Sequence, residues 1–126
     1  MTTYVVYLII GALEPGSIKV GVTSNPADRL RALQTGNPIA LSMEYLLTTT
    51  DKQAAYLLEQ RIHKCFSFIR LKGEWFDNLA YSLLTASDMD IDYLSSTIER
   101  HIDLAELRAI RTQLSQPNLQ PELVDV

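Results

Sequence analysis

Apolar, β-branched and aromatic residues dominate Tyr4–Ile10 and stop at Gly11, which reads as a strand. Glu14-Pro15-Gly16-Ser17 is a turn signal and Ile18–Val22 resumes the β-rich run, so the two segments predict a hairpin. Asn25-Pro26-Ala27-Asp28 supplies an N-cap, a proline at the first helical position and a first-turn carboxylate. That helix is expected to run to about Thr35, with Gly36 as its stop and Pro38 beyond. Leu41–Leu47 predicts a third strand, and Thr50 or Asp51 caps a longer helix reaching about Phe66. A loop containing Gly73-Glu74-Trp75-Phe76 follows, then a short helical piece near Leu79–Ala86. From Ile91 the pattern is helical again, and Asp103 with Glu106 can form a capping box, so 91–114 is one helix or two. The tail from Ser115 carries two prolines and is expected to fray.

The order β-β-α-β-α and then helices predicts an α/β (α+β) class. Its expected core is a small three-stranded, mainly antiparallel sheet flanked by helices, with a C-terminal helical extension. The corresponding division is a domain over 1–86 and an acidic helical extension with its tail over 87–126.

Two polar residues break the helical patterns. At 100° per residue, Ala55, Leu58, Ile62, Cys65 and Phe66 form one apolar stripe. Glu59 falls about 40° from Ala55, at the edge of that stripe, and His63 follows near 80°. A carboxylate there faces a cleft, a partner or a metal, or else snorkels out or pairs with His63. On the first helix Ala27, Leu30 and Leu33 make the apolar arc and Arg29 lies just past it, either functional or solvated and paired with Asp28.

Composition changes this picture in two ways. One cysteine, Cys65, excludes an internal disulfide framework and no Cys/His cluster has zinc spacing, so a cytoplasmic setting is expected. No stretch reaches membrane length. The net charge of −4 argues against a DNA-binding surface, but it is unevenly spread. Residues 1–76 hold eight Lys and Arg against six Asp and Glu, whereas 77–126 hold three against nine. The acidity belongs to the C-terminal part.

Taken in order, the polar residues and their strands resemble a known family. Val5-Val6-Tyr7 resembles the GIY strand of GIY-YIG nucleases, and Lys19-Val20-Gly21 the YIG strand after its hairpin. Arg29 lies ten residues after Lys19, where that family keeps its arginine, and Glu59 lies on a later helix, where it keeps its metal-binding glutamate. Gly73-Glu74-Trp75-Phe76 and the Glu59/His63 pair resemble the phage-derived DNA-binding branch of the superfamily. The resemblance covers roughly residues 4–80.

It implies a metal-dependent phosphodiesterase. Glu59 would hold one Mg²⁺ or Mn²⁺, Arg29 would clamp phosphate oxygens, and Tyr7 would contact the water or the phosphate. Gly21 would permit close backbone approach, and His63 would support the metal or carry a proton. Three positions depart from the family: Val5 replaces the first glycine, Lys19 the second tyrosine, and Leu33 a histidine one turn after the arginine. Lys19 would act as general base or remain charged and bind phosphate. Asn78 would match a downstream asparagine.

The expected partner is DNA, with RNA open as an alternative, contacted by Lys19, Arg29, Arg31, Lys64, Arg70 and Lys72. Tyr7, Lys19, Arg29 and Glu59 should then meet on one face, and a Glu59 on the opposite side of the sheet from Arg29 would contradict the nuclease reading. The alternatives are a DNA-binding domain of the same fold without catalysis, and a protein-interaction adaptor. Ile91, Leu94, Ile98, Ile102 and Ala105 form a partial apolar seam that suits a homodimer or packing onto the chain's own core.

Overall fold

Alternation along β1 (Tyr4–Gly11) divides the interior into two layers. Val5, Tyr7 and Ile9 point to one face and Val6 and Leu8 to the other, all at most 1% exposed, which explains a near-continuous apolar run. The structure, a computed structural model, describes residues 1–11 and 16–114. Glu14 and Pro15 of the expected turn and the tail from Ser115 lie outside the described residues.

β1 is central, paired antiparallel with β2 (Ser17–Thr23) and with β3 (Leu41–Thr49). Among the described residues the sheet has five strands rather than the expected three, in the order β3-β1-β2-β5-β4. The additional pair, β4 (Arg70–Lys72) and β5 (Trp75–Asp77), is a tight hairpin turned at Gly73, whose φ of +56° favours glycine. The segment expected as a loop is therefore this hairpin. Three-residue strands are too short for period-two alternation to show.

Helix α1 (Pro26–Gln34) starts where Asn25 Oδ1 accepts the Asp28 N–H at 3.2 Å. Its Leu30 and Leu33 cover the Val5/Tyr7/Ile9 face together with Met43, Tyr45 and Trp75. Ala27, expected in that arc, is exposed. Helix α2 (Lys52–Cys65) starts at Asp51, whose Oδ1 accepts the Ala54 N–H at 3.1 Å. Its stripe of Ala55, Leu58, Ile62 and Cys65 is buried against the opposite sheet face, with Phe66 completing it. Burial pushes the Cys65 thiol up to about 12, so it packs as a small apolar group rather than a nucleophile.

The same layer takes in α3 (Leu79–Thr85), α4 (Asp88–Ile98) and α5 (Leu104–Leu114). The break between the last two comes at Asp103, whose Oδ1 caps the Glu106 N–H at 3.1 Å. Ile91, Ile98 and Ile102 of the apolar seam are buried in this shared core, while Leu94 and Ala105 are exposed. α5 is tied to α2 by Arg61–Glu106 at 2.6 Å, and to the end of α3 by Arg111, which donates to Leu83 O at 2.7 Å and to Ala86 O. Among the described residues, no helix is long and apolar enough to cross a membrane.

Candidate metal and phosphate centre

Tyr7 on β1 stands directly opposite Gly21 on β2. A Cβ added at Gly21 would meet the Tyr7 hydroxyl at 2.5 Å and its Cζ at 2.6 Å, so the ring lies across the glycine. The group that approaches this backbone is thus the Tyr7 ring. From there its oxygen accepts the Arg29 Nε–H at 3.1 Å. That bond raises Arg29 further above its ordinary pKa, against the opposing effect of burial. Among the described residues no salt bridge takes Arg29, and its Nη groups are the ones suited to an outside anion. Gly21→Ala should displace the ring and destabilise the fold by about 1–3 kcal/mol, as overpacking does. In a Tyr7→Ala background the same change should be nearly neutral, a coupling that thermal melts of the double-mutant cycle would read. Equal costs in both backgrounds would show that the ring does not lie over Gly21.

The other half of the centre forms because β5 is short. It pairs with β2 only from Ser17 to Lys19, and its last contact is Val20 N–H to Glu74 O at 3.2 Å. Beyond that point no other strand among the described residues borders the outer edge of β2, and buried backbone groups left there need partners. Helix α2 supplies them. His63 Nε2 lies 2.9 Å from Val20 O, and the Val22 backbone lies close enough to Glu59 to favour its ionised form. A carbonyl can only accept, so Nε2 is the donor and carries a proton. The ring also packs against Phe76, with centroids 5.1 Å apart.

Glu74 joins the two halves. Its Oε2 is 2.7 Å from the buried Lys19 ammonium, which lies 5.7 Å from the Trp75 ring centroid. Ligand atoms of Glu59, His63 and Glu74 all lie within 4.8 Å of one another. Burial raises the Glu59 pKa and Glu74 raises it further, while His63, Lys19 and the Val22 backbone oppose the rise. Two neighbouring carboxylates with an imidazole beside them are a fitting donor set for a divalent cation, the oxygens suiting Mg²⁺ or Mn²⁺.

The family model described as T5orf172 domain matches residues 4–100. The chain belongs to the T5orf172 family. This is a GIY-YIG-like, nuclease-related domain family. No curated protein and no solved structure matches the chain. The T5orf172 match takes in every residue of the centre and runs through α4, leaving α5 beyond it.

Within this T5orf172 domain the expected residues do not share one face. The helices bearing Arg29 and Glu59 pack on opposite faces of the sheet, as the two core layers require, and by the criterion set from the sequence this placement counts against the nuclease reading. Glu74 and Lys19 act electrostatically on Glu59, and Glu74 also acts on Arg29, so Glu74 is the group within electrostatic reach of both. Glu74 had a place in the sequence motif but no role. The only signal for it was a carboxylate lodged between Gly73 and two aromatics.

The remaining positions are more dispersed. Arg31 pairs with Asp28 at 2.5 Å on the exposed side of α1. Lys64, Arg70 and Lys72 are exposed, with Arg70 lying 5.5 Å over the Phe76 ring. Leu33 packs beside Tyr7, so the family's histidine position is an apolar contact here. Asn78 stands at the start of α3, where its carbonyl accepts the Tyr81 N–H at 3.0 Å.

Proposed function

We propose that this T5orf172 domain is a divalent-metal-dependent DNA endonuclease module that hydrolyses phosphodiester bonds. The observation that carries the reading is the Glu59–His63–Glu74 donor cluster, set beside Lys19 and the Tyr7–Arg29 pair. A bound Mg²⁺ or Mn²⁺ would neutralise charge on the phosphate and the leaving oxygen. Glu59 and Glu74 would hold it, with His63 adjacent. Arg29, its Nε engaged by Tyr7, offers the Nη groups to non-bridging oxygens. The Tyr7 hydroxyl accepts from Arg29 and so has its own proton to donate, to a phosphate oxygen or to the attacking water. Lys19 adds positive charge on the same side.

Lys19, Arg29, Arg31, Lys64, Arg70 and Lys72 would supply the phosphate contacts despite the net acidity. About three such contacts imply a loss of roughly 40-fold in affinity across a fourfold rise in salt. The test incubates purified protein with supercoiled plasmid in Mg²⁺ or Mn²⁺ and in EDTA, with gel shifts on DNA and RNA at two salt concentrations. Nicking that needs the cation, with salt-sensitive binding, supports the proposal. Salt-sensitive binding without cleavage under any metal identifies a non-catalytic DNA-binding domain. Absent or salt-independent affinity points to the adaptor.

A further inference from the structure

One carboxylate in this centre has two claims on it. Glu74 Oε2 is bonded to Lys19 at 2.7 Å, and Glu74 also belongs to the donor cluster with Glu59 and His63. The other members are held in place. The Val20 carbonyl holds the His63 ring, the Val22 backbone favours the ionised form of the half-buried Glu59, and the Lys19 side chain is only 9% exposed. Glu74 follows the Gly73 turn and its side chain is 39% exposed, so it is the member free to move.

Charge balance gives that movement a purpose. Without a cation, Lys19 and Arg29 offset Glu59 and Glu74. A divalent ion taken up by the two carboxylates leaves Lys19 without its partner and the centre with an excess of positive charge. We propose that Glu74 is a transferable ligand, passing from Lys19 to a divalent cation held with Glu59 and His63, so that cation binding frees the Lys19 ammonium for a phosphate. The inference rests on the cation-dependent reading given above and adds an order of events: cation first, then Lys19 toward the anion.

Trp75 is the chain's only tryptophan and lies beside Lys19, so it reports the exchange. The full chain is titrated with Mg²⁺ by calorimetry and by Trp75 fluorescence, with circular-dichroism melts to confirm folding of each variant. In the wild type both signals should share one midpoint. Glu74→Gln should bind Mg²⁺ at least about tenfold more weakly, the range for losing a group that supports a metal site, and lose the fluorescence response. Lys19→Met removes the competitor and should bind Mg²⁺ more tightly than wild type, an outcome of opposite sign that general damage to the fold cannot produce. In EDTA, Glu74→Gln should bind DNA more tightly than wild type, with a salt slope steeper by about 0.9 for the freed lysine.

Wild-type Mg²⁺ affinity in Glu74→Gln, with binding abolished in Glu59→Ala, overturns the transfer and leaves the cation-dependent reading in place. Mg²⁺ affinity indifferent to both substitutions removes the cation site and the proposed function with it. Weaker Mg²⁺ binding in Lys19→Met overturns the competition between lysine and cation.

Discussion

Glu59→Ala is expected to reduce metal-dependent plasmid nicking about a thousandfold while leaving a folded protein. The cation's stabilisation of developing charge is worth several kcal/mol, and each 1.4 kcal/mol or so is a factor of ten in rate. The structural cost should be small, about 1 kcal/mol or less. Glu59 sits half-buried at the stripe edge with an ionised form that burial disfavours, so its loss removes a penalty along with the favourable influence of the Val22 backbone. The pH dependence follows from the same raised pKa. A carboxylate more basic in the fold than in the open chain favours the cation-free fold fully below the ordinary carboxylate range, and that contribution fades as pH rises through the folded value. Cation affinity runs the other way and falls off on acidification at a higher pH than for an exposed glutamate. Calorimetric Mg²⁺ titrations at several pH values would read this directly.

DNA binding in EDTA should survive Glu59→Ala or tighten, because a negative charge near the phosphate is gone. Arg29→Ala should weaken binding and nicking together, since the guanidinium acts on ground and transition states alike. It also strips the Tyr7 hydroxyl of its donor. Melts, gel shifts and nicking on the same preparations separate the two variants. A Glu59→Ala that does not fold would show that the carboxylate is there to close the edge of β2, and equal loss of DNA binding in both variants would remove the division of roles.

The largest effect on stability is expected at Phe76. It is fully buried, stands opposite Ile18 across β5 and β2, and packs against the His63 ring. Phe76→Ala should cost about 3–5 kcal/mol, and for a domain of this size that lowers the melting temperature by roughly 15 °C or more. Phe76→Leu keeps most of the volume and should cost less than about 1.5 kcal/mol. Because β5 follows directly on Glu74, Mg²⁺ affinity of the alanine variant should drop even at temperatures where it remains folded, and recover in the leucine variant. A melt of Phe76→Ala within about 1 kcal/mol of wild type would show that the β4–β5 hairpin is not anchored by this side chain.

The elements that were legible in the sequence are those whose cause is local. Asn25 and Asp51 cap the first turn of their own helices, and both helices begin where those caps said they would. The stripe on α2 is buried as its period requires, with Glu59 at its edge. The ordered polar residues also pointed to a GIY-YIG likeness, which the T5orf172 match over 4–100 bears out at that coarser level. What periodicity could not show is where β5 ends against β2. Past that end point Val20 and Val22 pair only with β1 on their other side, and the same hairpin brings Glu74 to a lysine 55 positions earlier in the chain.

The hairpin, the two capped helices and the set of polar residues could be read along the chain, because short-range sterics, capping and hydrophobic period act over a few residues. The placement of Arg29 and Glu59 on opposite faces of the sheet, with Glu74 within electrostatic reach of both, came from the three-dimensional packing. Those arrangements are settled by backbone groups seeking hydrogen-bond partners and by charges meeting across distant strands, and neither leaves a pattern among sequence neighbours.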